Sequence, residues 1–442
     1  MNPTVSNRTK AIVISLVGFA ILLLLAFLGV PLAYAMLAVS ACGLAYIRGF
    51  DAAISVSAQW IVDTATNGNL SIIPLFVLMG TFIHRSGISR ELFEAANAWL
   101  GRFRGGLALA GIVSCAGFAA VCGSSLATAA TMSKVALPSM RDFRYNAGFA
   151  AGTIAAGGTL GIMVPPSVAL VLYGVISGQD IGQLFMAGIV PGLLLVVLFM
   201  ATSLLITAVR PEYGPRGKVL SLRATIRASY STWPVMILFA IIIGGIYSGV
   251  FTPTEAAAVG CAGAFVFGVL RGHFLNIPEL WDVFKEAVST ASMLFAILFA
   301  AMIFAQFLNL TGMPSQLLTL VLGSGFGPVG LVLLICVICI ALGTVFESIG
   351  ILLLITPIFL PALGALGVNL IWFGILTVIV IELGLIIPPL GMNVFTVKAM
   401  APDIPLGVIF LGVMPYVGAM FIAGILILLF PEIATWLPSA MR

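Results

Sequence analysis

Four short segments contain glycine or proline, three of them together with small polar residues, inside stretches that are otherwise apolar. In chain order they are residues 121–125, 161–167, 343–348 and 384–390. Such segments interrupt a regular helix and leave backbone N–H and C=O groups without intrahelical partners. Free carbonyls at the end of a half-helix suit a small hard cation such as Na⁺, and free N–H groups at the start of the next suit a carboxylate. The segments therefore predict a site for a cation and an organic anion.

Polar side chains beside these segments are the predicted substrate contacts. They are Ser124, Ser125, Thr128, Ser167, Glu347, Ser348 and Asn393. The hydroxyl groups fit local backbone capping as well as ligand binding. Glu347 is the strongest single indication, because a carboxylate at membrane depth is costly and usually functional.

Four further charged residues have more than one interpretation. Glu382 could titrate, pair with a cation or bond the backbone locally. Lys134 fits either an anion contact or a side chain that extends along its helix to the membrane surface. For Asp180 and Asp403 the sequence favours helix-capping or loop roles.

Sequence signals for a metal centre, a nucleotide or a catalytic dyad are weak. His84 and His273 have no second ligand at metal-binding spacing, and the Cys336-x-x-Cys339 pair lies in an apolar run, where small core residues are expected. The chain has no phosphate-binding P-loop and no zinc-protease motif. An ATP-driven pump and an intramembrane enzyme are therefore disfavoured.

The composition places the elements that must position these residues in a membrane. Hydrophobic residues make up 61% of the chain and charged residues 8%, whereas a soluble domain carries about 25% charged residues. The apolar runs are continuous and do not alternate, which favours membrane-spanning helices over barrel strands. The predicted fold class is an all-α polytopic membrane protein.

An internal repeat organises these helices. Several landmarks recur at a spacing of 223 positions, namely Gly161 and Gly384, Pro138 and Pro361, Ser125 and Ser348, and Asp180 and Asp403. The spacing predicts two homologous halves, each with a re-entrant helical hairpin and a broken helix. Pro165-Pro166 and Pro388-Pro389 are predicted to begin the second halves of the broken helices, because proline is favoured in a first helical turn.

Basic residues predict opposite orientations for the two halves. If both hairpins enter and leave on one side and the amino terminus is periplasmic, most basic residues face the cytoplasm. These are Arg85, Arg90, Arg102, Arg104, Arg141, Arg144, Arg210, Arg216, Lys218, Arg223, Arg227, Arg271, Lys285 and Lys398. Only Arg8, Lys10, Arg48 and Arg442 then face outward. The first hairpin enters from the cytoplasm and the second from the periplasm, so the repeats are inverted.

The chain divides into five predicted units. Residues 11–69 form the scaffold hairpin and arm of the first repeat, and residues 70–208 form its span, re-entrant hairpin, broken helix and following helix. Residues 209–231 form a basic cytoplasmic linker. Residues 232–290 form the scaffold hairpin and arm of the second repeat, and residues 291–430 form its span, hairpin, broken helix and final helix.

Several motifs resemble the large membrane subunit of tripartite ATP-independent periplasmic (TRAP) transporters, the DctM-like family. The most specific is GGIYSGVFTPTEAAAV at 244–259, and others are GGTLGIMVPPS at 157–167, CGSSLATAA at 122–130, RGGLA at 104–108 and ESIGIL at 347–352. The resemblance extends over essentially the whole chain.

The resemblance implies an ion-transporter-type fold with a scaffold and an elevator-like transport domain in the bacterial inner membrane. It implies Na⁺-driven uptake of an organic acid such as a C4-dicarboxylate or a sialic acid. Two partners are implied: a periplasmic substrate-binding protein and a small four-helix membrane subunit. No such segment precedes Ala11, so the small subunit is expected as a separate chain. The alternative is a stand-alone ion-coupled carboxylate carrier of the same superfamily.

The resemblance also implies two sodium sites built largely from backbone carbonyls. Residue by residue, one site maps to Cys122, Gly161, Val164 and Pro166, and the other to Gly343, Gly384, Ile387 and Leu390. Many family members have Ser at the position of Cys122 and Thr at that of Ile387. Carbonyl ligation survives both differences, whereas a hydroxyl ligand does not.

Overall fold

Helices account for all the regular secondary structure in the part of the chain that the structure describes. The computed structural model describes residues 3–217, 221–323 and 327–440. Lys218 and Arg442, two of the residues used to predict orientation, lie outside the described residues.

Helices α1 to α11 form the first half, α12 the linker, and α13 to α22 the second half. The first half comprises α1 (Pro3–Phe27), α2 (Leu32–Arg48), α3 (Phe50–Ala65), α4 (Ile72–Arg85), α5 (Ile88–Leu100), α6 (Gly106–Cys122), α7 (Ser125–Asp142), α8 (Ala147–Gly158), α9 (Leu160–Met163), α10 (Val168–Ser177) and α11 (Ile181–Val209). The linker helix is α12 (Leu222–Tyr230). The second half comprises α13 (Trp233–Tyr247), α14 (Pro253–Leu270), α15 (Ile277–Thr311), α16 (Met313–Gly323), α17 (Pro328–Gly343), α18 (Ser348–Ala365), α19 (Leu370–Gly384), α20 (Met392–Met400), α21 (Leu406–Leu429) and α22 (Glu432–Ser439).

The two halves place equivalent elements in the same order. Each begins with two apolar helices and contains a hairpin, α6–α7 or α17–α18. Each then has a broken helix, α8–α10 or α19–α20, and a long apolar helix, α11 or α21. Within the described ranges, five helices are long and apolar enough to cross a membrane, and up to eight spans result if each bent pair counts as one. The predicted fold class, an all-helical polytopic membrane protein with paired hairpins and broken helices, is confirmed.

The halves differ where the arm joins the span. In the first half, α3 is bent by 61° from the helical segment Gly68–Arg85. Asn67 lies at the bend, where its side chain accepts a hydrogen bond from the Asn69 N–H at 3.1 Å. In the second half, arm and span are one continuous helix of 35 residues, α15. The predicted boundary between residues 290 and 291 therefore falls inside a helix.

The closest helix packing brings α8 against α21. A Cβ atom at Gly412 would lie 1.8 Å from the Gly148 carbonyl oxygen, and one at Gly152 would lie 2.2 Å from the Gly412 carbonyl carbon. The buried Tyr416 hydroxyl links this contact to its surroundings through hydrogen bonds of 2.7 Å to Thr153 and to Ser203 on α11. Small residues thus let the two backbones touch, as in other packed membrane helices.

We expect Gly412→Ala to destabilise the folded protein, because the added methyl group meets backbone that cannot move aside without separating α8 from α21. Overpacking typically costs about 1–3 kcal/mol, and the backbone contact puts this site at the upper end. Thermal unfolding of the purified protein should show a clearly lower midpoint. Gly418→Ala on the same helix is the matched control, since nothing lies within 4 Å of its added Cβ. Equal midpoints for the two variants would contradict the packing argument.

Candidate functional site

The tip of the first hairpin is a two-residue turn between α6 and α7. Gly123 adopts φ 64°, a left-handed conformation that favours glycine. Ser124 caps α7 by accepting a hydrogen bond from the Ala127 N–H at 3.4 Å. The buried Thr128 hydroxyl donates to the Ser124 carbonyl at 2.8 Å. The side chains of Ser124 and Thr128 therefore make the local backbone bonds that the sequence left as an alternative.

The tip of the second hairpin is longer, with four residues between α17 and α18. Its backbone is joined to the second broken helix, because the Gly391 N–H donates to the Thr344 carbonyl at 3.1 Å. Glu347 is the residue before α18, and Ser348 is the first residue of that helix. Ser348 matches Ser125, which is the first residue of α7. The repeat predicted from the sequence thus recurs at the same helical position.

Each hairpin tip packs directly on the broken helix of its own half. A Cβ atom at Gly161 would lie 2.5 Å from the Ser124 carbonyl oxygen. A Cβ atom at Gly384 would lie 2.6 Å from the Gly343 Cα, and one at Gly343 would lie 2.8 Å from the Ile381 carbonyl oxygen. The glycines predicted as ion ligands are therefore positions where backbone meets backbone.

The proline pairs do not begin the second half-helices, so that prediction was wrong. α10 begins at Val168 and α20 at Met392, and both proline pairs lie in the preceding non-helical segments, each with a cis peptide bond between its two prolines. Proline disfavours a helical conformation in the residue before it. The break continues for one residue after the first pair and for two residues after the second.

The prolines also remove hydrogen-bond donors from the end of each first half-helix. Pro165 and Pro166 stand four residues after Gly161 and Ile162, so the carbonyls of those two residues have no helical N–H partner. Free carbonyls of this kind are what the carbonyl ligation of a cation requires.

In the second break, other donors occupy the equivalent carbonyls. The Ile387 N–H donates to the Gly384 carbonyl at 3.2 Å, and the Asn393 N–H donates to the Leu385 carbonyl at 3.1 Å. A carbonyl oxygen has a second lone pair, so Gly384 keeps the capacity to bind a cation. The two breaks are therefore related in sequence but differ in how their carbonyls are satisfied.

Glu382 joins the two hairpins, an arrangement outside the three interpretations offered by the sequence. Its side chain is 1% exposed. One carboxylate oxygen accepts a hydrogen bond from the Ser125 hydroxyl and the other from the Ser348 hydroxyl, both at 2.7 Å. These two hydroxyls therefore point at Glu382. No sequence signal predicts such a bridge, because it joins residues from both halves.

A cavity of about 190 Å³ lies against both hairpin tips. Cys122, Ser124 and Glu347 line it from the tips, and His84 on α4 and Glu286 on α15 line it from the facing helices. Of the seven predicted substrate residues, only Ser124 and Glu347 line this cavity.

The remaining predicted substrate residues are buried and do not line the cavity. Ser167 and Asn393 are each 0% exposed. Asn393 donates to the Ala155 carbonyl at 3.4 Å. Among the described residues, the Ser167 hydroxyl and the Asn393 carbonyl oxygen have no hydrogen-bond partner. Unpaired buried polar atoms are costly, so these two, one beside each break, mark places where a ligand or water would be stabilised.

Polar residues on the cavity wall were missed by the sequence analysis. Thr131 on α7 lies 3.4 Å from the His84 ring nitrogen Nδ1, which joins the first hairpin to α4. Arg85 and Glu286 form an ion pair of 2.7 Å between α4 and α15. The only sequence signal for this pair is a charge at the end of an apolar helix, which is common and does not identify the partner.

The outlying charged residues do not line the cavity. Asp180 caps α11 by accepting from the Gln183 N–H at 2.7 Å, as predicted. Asp403 lies in a loop and pairs with Arg141 at 2.7 Å. Its own backbone N–H and the Arg141 guanidinium hold the pKa of the Asp403 carboxyl below its usual range. Lys134 is exposed on α7 and makes no ion pair with any described residue.

Comparison with protein families gives one match over most of the chain. Residues 19–433 match the family described as tripartite ATP-independent periplasmic transporter, DctM component. The C4-dicarboxylate TRAP transporter large permease protein DctM of Pseudomonas aeruginosa is 34% identical over 379 residues, covering 86% of this chain and 88% of that protein. The sialic acid TRAP transporter large permease protein SiaM of Vibrio cholerae is 33% identical over 420 residues, covering 94% and 96%.

Solved structures share the fold at low sequence identity. The YdaH transporter of Alcanivorax borkumensis aligns with a TM-score of 0.64 and 14% identity, covering 95% of this chain and 98% of that one. MtrF of Neisseria gonorrhoeae aligns with a TM-score of 0.57 and 14% identity, covering 88% and 85%. At this identity the two structures support the fold alone.

Proposed function

Because the chain belongs to the DctM component family of tripartite ATP-independent periplasmic transporters, we propose that it carries an organic acid across the bacterial inner membrane by symport with Na⁺. The chain is a multi-pass membrane transporter subunit and not an enzyme. Family members act in tripartite systems. The coupling ion, the class of the transported acid and the movement of the hairpins and broken helices are part of this proposal.

The observation that carries the proposal is the pairing of each hairpin tip with a proline-interrupted helix. The first break removes the helical donors of the Gly161 and Ile162 carbonyls beside the Ser124 backbone. The second places Gly384 in contact with Gly343. Carbonyls gathered in this way, away from water, favour a small cation that replaces its hydration shell with them.

We assign one Na⁺ to the carbonyls of Cys122, Gly161, Val164 and Pro166. The second Na⁺ is assigned to the carbonyls of Gly343, Gly384, Ile387 and Leu390. Charge balance supports the assignment, because a bound cation would offset part of the negative charge of an organic acid in an apolar surrounding. The unpaired oxygens of Ser167 and Asn393 add polar capacity beside the two breaks.

The substrate carboxylate is proposed to enter the cavity that Ser124 and Glu347 line. The amino ends of α7 and α18 begin at the hairpin tips, and a helix amino end attracts an anion. Relatives are named for C4-dicarboxylate, sialic acid, ectoine and 2,3-diketo-L-gulonate. All four names describe carboxylic acids or their anions, and a fifth relative is named for isethionate, the anion of a sulfonic acid, so an organic acid is the proposed substrate class.

Two partners are proposed: a periplasmic substrate-binding protein and a small membrane subunit encoded as a separate chain. One relative is the isethionate TRAP transporter permease protein DctMQ of Oleidesulfovibrio alaskensis, of which the aligned region covers 58%. This chain covers 88% of the Pseudomonas aeruginosa large permease protein. Both relatives are named as permease proteins of TRAP transporters, which supports partners of this kind.

Replacing Na⁺ by K⁺ should reduce uptake by an order of magnitude or more, because K⁺ is too large for a carbonyl cage shaped for Na⁺. The measurement is uptake of a radiolabelled organic acid into proteoliposomes that contain this subunit with its cognate partners. The membrane potential is held equal in both salts. Undiminished uptake in K⁺ would contradict the assignment of both ions.

The same preparation tests the stand-alone alternative. Omitting the binding protein is expected to leave only background uptake, because the proposed system receives its substrate from that partner. Robust Na⁺-driven uptake by this chain alone would favour a stand-alone carboxylate carrier.

A further inference from the structure

We propose that Glu382 is a positioning residue that clasps the two hairpin tips together, so that the two halves of the site are set as one unit. The clasp consists of Glu382, Ser125 and Ser348. The expected effect of the clasp on Na⁺ binding rests on the proposed function. Its expected effect on the hairpin positions rests on geometry alone.

The geometry of the clasp is specific. The Ser125 hydroxyl donates to one oxygen of the Glu382 carboxylate and the Ser348 hydroxyl to the other, each at 2.7 Å. Both serines are first residues of the second hairpin helix in their own half. Because a carboxylate is rigid and planar, two bonds to its separate oxygens fix the position of one tip relative to the other.

Burial makes the clasp more than a surface contact. Glu382 is 1% exposed, Ser125 4% and Ser348 5%. Among the described residues, no cationic side chain forms an ion pair with Glu382. A buried carboxylate is unfavourable unless hydrogen-bonded groups compensate it, and the two serines supply that compensation. Loss of either serine therefore disturbs the carboxylate and, through it, the other hairpin.

The repeat places the carboxylate in one half only. The residue that matches Glu382 at the 223-residue spacing is Thr159, which follows α8, and its hydroxyl donates to the Ala156 carbonyl in the last turn of α8 at 2.6 Å. Two equivalent serines thus share a single carboxylate. Because Ser125 belongs to the first half and Ser348 and Glu382 belong to the second, neither half can form the clasp alone.

The position of the clasp relates it to both proposed ions. Glu382 lies on α19 two residues before Gly384, which is assigned to the second ion. Ser125 lies on α7 three residues after Cys122, which is assigned to the first ion. A change at one tip is therefore expected to alter the binding of both ions, which two independent sites would not do.

The test measures hairpin protection without transport. In purified protein, amide hydrogen exchange is followed at Thr128 and Ile351, whose N–H groups donate to the Ser124 and Glu347 carbonyls at the start of α7 and α18. We expect Glu382→Ala to raise exchange at both amides on the order of tenfold. We expect Ser125→Ala to raise the exchange at Ile351 as well as at Thr128. We expect Ser348→Ala to raise the exchange at Thr128 as well as at Ile351.

Matched controls remove hydroxyls that bond only within their own helix. These are Ser133→Ala on α7 and Thr356→Ala on α18, whose hydroxyls donate to the Ala129 and Leu352 carbonyls. Neither is expected to affect the opposite tip. Glu382→Gln keeps the shape and can bond both serines, so it should retain most of the protection that Glu382→Ala loses.

Coupling between the serines gives the second readout. In uptake assays, Ser125→Ala and Ser348→Ala should each raise the half-saturating Na⁺ concentration several-fold, and their effects should be non-additive. In a Glu382→Ala background, the two serine substitutions should have no further effect. Independent, additive effects of the serines, or a Ser125→Ala effect confined to Thr128, would overturn the clasp. If uptake did not depend on Na⁺ but a substitution at one tip still raised amide exchange at the other, the proposed function would be contradicted. The proposal for the clasp would remain supported.

Discussion

Oxidation of a Gly80→Cys variant is expected to stop uptake by joining α4 to the tip of the first hairpin. A Cβ atom at Gly80 would lie 3.4 Å from the Cys122 Cα and 3.0 Å from the Val121 carbonyl oxygen. We infer from this closeness of Gly80 to the Cys122 backbone that the two thiols can form a disulfide, and the native Cys122 supplies the second thiol. We propose that the hairpins and broken helices move against the other spans, including α4. A covalent link would then block that movement, and uptake should fall on the order of tenfold or more.

The measurement compares uptake before oxidation, after oxidation and after reduction with dithiothreitol, with the extent of cross-linking determined by mass spectrometry. Gly80→Ser tests the steric effect of a side chain of similar size that cannot cross-link. A Gly80→Cys/Cys122→Ala double variant tests oxidation elsewhere in the chain. Normal uptake by fully cross-linked protein would rule out movement of the first hairpin relative to α4.

Gly384→Ala is expected to raise the half-saturating Na⁺ concentration about tenfold or more and to lower the maximal uptake rate, while leaving the protein folded in the membrane. The added methyl group would lie 2.6 Å from the Gly343 Cα and 2.9 Å from the Ile340 carbonyl oxygen. Neither neighbour is the end of a flexible side chain, so the second hairpin must move away from the broken helix. A displacement of about 1 Å is enough to remove carbonyl ligands from a cation, whose coordination distances vary by only a few tenths of an ångström.

The readouts are the half-saturating Na⁺ concentration and the maximal uptake rate. Gly364→Ala is the matched control, because it lies on α18 and nothing is within 4 Å of its added Cβ. We expect that control to transport at the wild-type rate. Wild-type Na⁺ dependence in Gly384→Ala would mean that the contact between the hairpin and the broken helix is not part of an ion site.

The features that the sequence predicts well are local. The hairpins and breaks are visible because glycine, proline and small polar residues interrupt apolar runs, and because the 223-residue spacing repeats those interruptions. The Asp180 cap is also predictable because it is local, since a capping side chain bonds an N–H within three residues. Helix starts near proline pairs are less predictable, because the restriction on the preceding residue competes with the preference for a first turn.

The features that the sequence does not predict depend on contacts between distant elements. The clasp needs α7, α18 and α19 to meet at one carboxylate, and nothing in the neighbours of Glu382 identifies its two donors. The continuity of α15 is an exception, because its cause is local: the first half has Asn67-Gly68 at the bend, whereas the second has Val288-Ser289 near the corresponding place. A single missing glycine is too weak a signal to distinguish a bent helix from a straight one.

We expect that continuous helix to make the second half sensitive to the lipid chain length of the bilayer. At about 1.5 Å per residue, α15 is about 50 Å long, whereas the hydrocarbon layer is about 30 Å thick. In the first half, we expect the 61° bend before α4 to let the span tilt without moving the arm when the bilayer thickness changes. In the second half, a thicker or thinner bilayer must tilt the whole of α15, and with it Glu286 and Thr290, which line the cavity. The lipid acyl chains would thereby adjust the shape of the cavity from the second half only.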